Sequence, residues 1–396
     1  MANRDFIITG LQSWDIPIGS NAIDIARELA TDNRVLYVNS PLDLMTMVRN
    51  RQHKVKDHRY AVLRGRSKPL RKVGRRLWVL DFPFFIWSVN GLPDGRLFDA
   101  VNKWNNRRIF RYVQRIADQL GFVHPIQIID NDIYRSYYSK ELLDARMTVY
   151  YRRDNLQPFP YWNRHVGRLE PALIAKSDLV VCNSLQLATF AKNFNPESYD
   201  IGQGVDLSAY DPSLSHPEPG EIAGIPSPRF GYIGDINSLR LDPDLIFDMA
   251  RSRPGYSFIL TGGEDDIFSR HPLHRLPNVH FTGSVARYRV PSFIAAMDVC
   301  MNPQQVNEIT IGNYPRKVDE YLAMGKTVLA TRTPAMELFR EHVFLCTTAS
   351  DFIRSADESL RSDTSEKKAA RIRFAQSHSW RNNVTTLTHL IEKHLK

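Results

Sequence analysis

Two tandem Rossmann-like, doubly wound α/β domains are predicted for this chain of 396 residues. Three features predict them: strand-like and helix-like runs alternate from end to end, the strand-like runs are continuously apolar, and a proline-rich break separates two such series. Alternation of this kind marks parallel sheets with crossover helices. Continuous apolarity is what strands buried on both faces require.

The first series has strands near Phe6–Gly10, Val35–Asn39, Leu77–Leu80, Ile126–Asp130, Thr148–Tyr151 and Leu179–Asn183, with helices near 20–31, 97–120, 165–176 and 184–194. Asp211–Pro228 then carries five prolines and almost no large apolar residue. Such a segment cannot form an element interior and reads as a linker. The second series runs through Phe230–Gly234, Phe258–Gly262, Val279–Thr282, Val299–Asn302, Val328–Thr331 and Val343–Cys346, with helices near 243–253, 288–296, 315–324, 334–341 and 349–361. A last segment, from about 366, is helical with an interruption at Gln376–Ser379. The predicted division is 1–212, a linker at 213–228, 229–375, and a closing helix at 376–396 that crosses back to the first domain. Ligands of open α/β sheets sit at the carboxyl ends of the strands, so the two sheets are expected to present those ends to a common cleft.

Composition narrows the function. With 43% apolar residues the domains can bury cores, and a net charge of +9 selects anionic partners: nucleic acid, a phospholipid surface or a phosphorylated small molecule. No uninterrupted apolar run reaches membrane-spanning length, and MANRDFIITGL enters a strand without a charged leader region, which predicts a cytoplasmic protein. Cys182, Cys300 and Cys346 are far apart, each in an apolar run, which predicts buried free thiols rather than disulfides or metal ligands.

The segment Asn313-Tyr-Pro-Arg-Lys-Val-Asp-Glu-Tyr-Leu-Ala-Met-Gly325 concentrates the chemistry. Pro315 suits the first helical position and Gly325 the stop. The helix N-terminus offers free N–H groups and a positive dipole end to a phosphate. Lys317 and Glu320 are three apart and share a face, which suits a cation near the phosphates and a carboxylate for ribose hydroxyls. An ordinary solvated ion pair would look the same.

The segment resembles the P-x-K-x-x-E-Y-L-A-x-G-K-P-V-V element of glycosyltransferase family 4, matching at Pro315, Lys317, Glu320, Tyr321, Leu322, Ala323, Gly325 and Lys326. Thr327 stands where the family usually has proline. Gly312 stands where many members carry a glutamate, so either Glu308 or the backbone amides of Thr310, Ile311, Gly312 and Asn313 hold the donor sugar. Further matches run in family order from about residue 5 to 390. Glu170 to Ser184 is similar to the E-x-x-l-x-x-x-a-D-l-V-x-x-x-S run, and Gly202-Gln-Gly-Val-Asp206 to the N-G-V-D turn. Gly231-Tyr-Ile-Gly234 with Arg240 resembles the first strand and the diphosphate-neutralising basic loop. Asn278-Val-His-Phe-Thr-Gly-Ser284 resembles a strand whose end touches the base, and Trp380 the tryptophan before the final helix.

The resemblance implies a glycosyltransferase of the two-domain B-type fold, taking a nucleoside diphosphate sugar as co-substrate with no further cofactor. It also implies a glycan or lipid-linked glycan acceptor. Arg240 and Lys317 would neutralise the leaving diphosphate in place of a metal, and Asp154, from Tyr150-Tyr-Arg-Arg-Asp-Asn155, would act on the acceptor hydroxyl. Donor contacts are expected from Gly19, Ser20, Gly234, Asp235, Gly283, Ser284, Val285, Arg316 and Glu320 beside the 310–313 loop, and acceptor contacts from Trp14, Asp15, Asp130, Arg152 and Arg153. A helix cap is the competing role of Ser20, a turn cap that of Asp154, and plain surface exposure that of Arg240.

Other motif-like runs point elsewhere and fail. Gly325-Lys-Thr327 imitates a P-loop tail but leads from helix into strand. Asp242-Pro-Asp244 imitates a metal-binding D-x-D yet reads as a helix cap followed by proline. Asp130-Asn-Asp132 ends a strand, and no Gly-x-Gly-x-x-Gly follows the first strand.

Twelve Lys or Arg between Arg49 and Arg76, against one Asp57, precede Phe82-Pro-Phe-Phe-Ile-Trp87. Such a surface suits an anionic leaflet, so a peripheral membrane contact through residues 49–87 is expected, a solvated loop being the alternative. No nucleic-acid signature accompanies the charge. Two competing functions remain: a nucleotide-sugar epimerase on the same fold and a non-catalytic sugar-nucleotide-binding module.

Overall fold

The computed structural model describes residues 1–16, 20–49, 58–311 and 314–395. The chain divides into two compact units, Met1–Gly202 with Trp380–Lys396, and Gln203–Ser379.

The first unit holds an eight-stranded sheet. Its strands are β1 (Asp5–Thr9), β2 (Arg34–Val38), β3 (Leu70–Gly74), β4 (Leu77–Leu80), β5 (Ile126–Asp130), β6 (Met147–Arg152), β7 (Leu179–Cys182) and β8 (Ser198–Asp200). The spatial order is β3-β4-β2-β1-β5-β6-β7-β8, parallel throughout except for the antiparallel β3–β4 pair. Alternation along β1 explains its unbroken apolar run. Phe6 and Ile8 face a core closed by helix Asn21–Leu29 and by Trp380, Val384, Leu387 and Ile391 of helix Trp380–Leu395, while Ile7 faces Ile109, Phe110 and Val113 of helix Arg96–Gln119. The closing helix thus belongs to the first unit, as its sequence predicts. Asn383 ties it there by donating to the carbonyls of Ile201 and Gly202, both at 2.8 Å.

The second unit carries β9 (Arg229–Ile233), β10 (Ser257–Thr261), β11 (Val279–Phe281), β12 (Val299–Asn302), β13 (Thr327–Thr331) and β14 (Phe344–Cys346). Its fully parallel order is β11-β10-β9-β12-β13-β14, the doubly wound pattern with its switch point between β9 and β12.

Three structural outcomes refine the sequence reading. The division falls after Gly202 and before Trp380 rather than at 212 and 376. The proline-rich segment is no free tether, because Ile222 is buried in the second unit's core and Ile225 packs against it. The strand β3 lies inside the basic stretch; its half-exposed edge position tolerates charge, which hides it from a search for apolar runs. Asp242 caps helix Pro243–Ser252 by accepting from the Leu245 amide at 3.0 Å, and the three cysteines are buried and free, as read from the sequence. Burial pushes the Cys182 and Cys300 thiols up to about 12. Gly19, Gly312, Asn313 and the 50–57 part of the basic stretch lie outside the described residues.

Candidate functional site

In the second unit, the loops leaving β9, β10 and β12 are knitted together at the sheet's carboxyl edge. Asp242 N–H donates to Pro303 O at 3.0 Å, Gln305 N–H to Arg240 O at 2.9 Å, and Asn307 Nδ2 to Leu239 O at 2.8 Å. Ile236 N–H donates to Gly263 O at 2.9 Å, and Ser238 is held by Asp265. Between β9 and β12 lies the point where the strand order reverses, the default ligand position of this topology.

Helix Arg316–Ala323 brings Lys317 to that point. The Lys317 ammonium lies 4.1 Å from the centroid of the Tyr232 ring and donates to the Tyr232 hydroxyl, which in turn donates to the Asp235 carbonyl at 2.9 Å. A Cβ on Gly234 would sit 2.7 Å from Lys317 Nζ, and one on Gly262 would sit 1.8 Å from the Gly234 carbonyl oxygen. Glycine is needed at Gly262 because the Gly234 backbone approaches so closely, and at Gly234 because its φ is +150°. The helix begins one residue later than expected: Pro315 is its cap rather than its first turn, and Gly325, at φ +70°, ends it as predicted.

Glu320, one turn on from Lys317, is half-buried. Burial raises its carboxyl pKa above the usual range; Arg316 and Lys317 oppose the shift, as does a hydrogen bond donated by Tyr210. The positive charge of Arg287 also opposes the shift. Tyr232, Tyr210 and Arg287 escaped the sequence reading. Tyr210 lies just before the proline-rich segment, and no local spacing connects any of the three to the 313–325 segment.

Arg240 is exposed at the rim of the knitted loops, and its guanidinium has no hydrogen bond or ion pair among the described residues. Asp235, Gly283 and Ser284 are exposed, Gly283 at φ +73°, whereas Val285 packs partly into the core. Glu308 is also exposed. Of the expected amide cradle, the Thr310 and Ile311 amides are engaged within the loop. Thr310 is fully buried, and the Thr310 and Ile311 amides both donate to Asn307 inside the loop. Their hydrogen bonds close a turn instead of facing a ligand.

The first unit has its own switch point between β1 and β5. There the fully buried Asp130 accepts from Arg153 Nε at 2.7 Å and from the Leu11 amide at 3.2 Å, and Arg153 reaches on to Asp154 at 2.8 Å. Burial raises the Asp130 pKa, opposed by the Arg153 guanidinium. Asp154 itself is 39% exposed. Asp130, Arg153 and Asp154 therefore form one chain of charges that ends at the surface.

The neighbouring candidates separate from it. Arg152, expected beside Arg153, is buried on the other side of the sheet and grips Glu170 at 3.0 and 3.1 Å, with Phe190 stacked at 4.3 Å. Consecutive strand residues point to opposite faces, so the two arginines cannot serve one ligand. Trp14 packs edge-on to Tyr37 at 5.2 Å beneath Arg27, Asp15 pairs with Arg71 at 2.7 Å, and Ser20 caps helix Asn21–Leu29. These three have structural engagements of their own. Lys326, from the P-loop imitation, donates to the carbonyls of Ala295 and Met297, both at 2.7 Å, and holds the β13 entry in place. Among the described residues no group of three or more His, Cys, Asp or Glu side chains is placed to hold a metal ion, and no helix is long and apolar enough to cross a membrane.

Comparison with known proteins agrees with this architecture. Residues 243–389 match the family model described as glycosyl transferase-like. A glycosyltransferase assigned to teichuronic acid biosynthesis, TuaH of Bacillus subtilis (strain 168), is 24% identical over 222 residues, which are 53% of this chain and 56% of that protein. The match thus spans little more than half the length of this curated relative. Among solved structures, sucrose-phosphate synthase from Thermosynechococcus elongatus superposes with a TM-score of 0.69 at 13% identity over 99% of both chains. Anabaena HepE in complex with UDP does so at 0.63 and 17% identity, again over 99% of both chains. The chain therefore has the B-type glycosyltransferase fold of two Rossmann-like α/β domains, and its residues 243–389 are similar to the glycosyl transferase-like family.

Proposed function

We propose that this protein transfers a sugar from a nucleoside diphosphate sugar to a glycan acceptor, with the second unit binding the donor. The observation that carries this reading is the placement of Lys317 at the β9–β12 switch point, held over Tyr232 beside the side-chain-free backbone of Gly234, with Glu320 one helical turn away. A compact cation, close backbone approach and a carboxylate on the same helix face suit a diphosphate and a ribose. Structures similar in fold include HepE bound to UDP-glucose, which makes a uridine donor the first to test.

In this reading Lys317 and Arg240 stabilise the negative charge that develops on the leaving diphosphate, usually the largest catalytic contribution, so no metal or other cofactor is required. Asp154, poised by Arg153 and Asp130, receives the acceptor hydroxyl in the first unit. The basic residues between 49 and 76, with the exposed Trp87, supply a contact with an anionic membrane, where a lipid-linked acceptor resides; Phe82 and Ile86 of the aromatic run do not take part, because both are buried in the first unit's core. Arg71 and Arg76 contribute less to that contact than their sequence position suggests, since Arg71 is paired with Asp15 and Arg76 donates to Asn3 and to the Asp32 carbonyl.

The test is calorimetric titration with UDP and a panel of nucleotide sugars, followed by donor turnover with and without chelator. Binding that falls about tenfold or more in Lys317→Ala, with turnover that persists in chelator, supports the reading. Unchanged affinity in Lys317→Ala overturns the donor site. Turnover lost in chelator and restored by manganese overturns the metal-independent chemistry.

A further inference from the structure

Helix Arg96–Gln119 of the first unit carries a surface that the proposed reaction does not use. Its buried side supplies Ile109, Phe110 and Val113 to the core. The solvent side presents Lys103, Arg107, Arg111 and Arg115, all exposed and each one turn after the last, so that the arginine row spans about 12 Å. None of these three arginines has a hydrogen bond or ion pair among the described residues. Like charges at this spacing destabilise a helix by about 0.2–0.5 kcal/mol per pair, so an isolated chain gains nothing from the row.

Beside the row stands an aromatic wall. Arg108 lies 4.2 Å from the centroid of Phe84 and 5.5 Å from that of Trp104, and it donates to the Phe85 carbonyl at 3.1 Å. Tyr112 packs edge-on to Phe84 at 5.6 Å, and Trp104 remains 46% exposed. Wall and row enclose a hollow of about 580 Å³. A second hollow of about 640 Å³ shares Arg111 and Arg115 with it and continues along the helix past Gln114 and Asp118. The result is an open groove with cations along one side and flat apolar rings on the other.

We propose that this groove binds an acidic glycan chain, its carboxylate or phosphate groups on Arg107, Arg111 and Arg115 and a sugar ring against Trp104 and Phe84. All four cations of the first hollow are arginine, whose planar fork matches an oxyanion in two-point contact; a diffuse attraction to a membrane would be served equally by lysine. A flat bilayer surface also leaves the two hollows unfilled, whereas a chain of rings fills them in succession. The inference deepens the glycosyltransferase reading by giving the acceptor glycan an anionic character, and it rests on that reading only for the source of the glycan.

The experiment is titration of the full-length protein with an oligogalacturonate long enough to cover the arginine row, with a neutral malto-oligosaccharide and anionic phosphatidylglycerol vesicles in parallel. Binding of the oligogalacturonate alone among the two glycans is expected, weakening as salt rises. Arg107→Ala/Arg111→Ala should lower affinity at least about tenfold, each lost contact being charge-assisted. The lysine-for-arginine triple variant at 107, 111 and 115 should fail similarly although it keeps the charge. Trp104→Ala should weaken binding too. Because these side chains are exposed, melting temperatures should not change, and nucleotide affinity, measured on the same samples, should stay at the wild-type value. Failure of the donor reading would show in nucleotide affinity, failure of this one in glycan affinity. Equal binding of the neutral oligosaccharide, undiminished binding by the lysine variant, no oligogalacturonate binding, or vesicle binding that the alanine variant abolishes and the lysine variant keeps would each overturn the proposal.

Discussion

Arg152→Met tests whether the buried arginine supports the fold or touches the acceptor. Arg152 and Glu170 are each about 3% exposed at their side chains, the guanidinium grips both carboxylate oxygens, and the Tyr150 hydroxyl donates to the same carboxylate at 3.0 Å. Removing the arginine leaves Glu170 charged, buried and compensated only by that hydroxyl. Breaking a buried pair in this way costs about 3–5 kcal/mol. In a unit of this size each kcal/mol lowers the melting temperature by about 2–4 °C, so differential scanning calorimetry should record a fall of about 6–20 °C. Replacing both partners, Arg152→Met with Glu170→Leu, should recover most of the loss, because an apolar pair of similar volume carries no desolvation penalty. Nucleotide affinity, which the proposed donor site assigns to the second unit, should not change in either variant. A shift under about 2 °C combined with a raised acceptor KM would refute the reasoning and return Arg152 to the acceptor site.

Glu320 should give nucleotide binding a pH dependence: its carboxylate accepts hydrogen bonds that its protonated form accepts less well, and burial raises its pKa. Wild-type affinity should therefore fall on acidification at a higher pH than an ordinary glutamate, of pKa about 4.3, would cause, and the fall should be shallower in Glu320→Gln by isothermal titration. Gly234→Ala places a methyl group 2.7 Å from Lys317 Nζ. Displacing that ammonium should cost about tenfold in nucleotide affinity measured by the same titration. Asp154→Asn should slow transfer in a steady-state assay while leaving donor affinity unchanged; unaltered transfer would leave Asp154 as a partner of Arg153 alone.

Much of the fold was legible because it is written locally. Among the described residues, twelve of the fourteen strands coincide with apolar runs, and each strand of the second unit was placed to within about one residue. The exceptions are informative. Strand β3 reads Leu-Arg-Lys-Val-Gly, and its charged, half-exposed edge carries no apolar signal; β8, Ser-Tyr-Asp, has three residues and none of the large aliphatic side chains that mark a core strand. The 313–325 helix announced both its stop at Gly325 and its charged face.

Determined by sequence alone, then, are the alternation that makes two doubly wound domains, the Asp242-Pro243 helix start, the burial of the three cysteines, and the one-turn spacing of Lys317 and Glu320. Each depends on residues within a turn or a strand of one another. Tertiary structure alone decided the rest. It placed Tyr232, 85 residues from Lys317, beneath the ammonium and brought Tyr210, also remote in sequence, to Glu320. It also joined Asp130 to Arg153 across neighbouring strands while sending Arg152 to Glu170 on the opposite face. Those partnerships arise where chain segments remote in sequence converge at a sheet edge, and a hydrogen bond or ion pair of that kind has no period along the chain for a sequence to display.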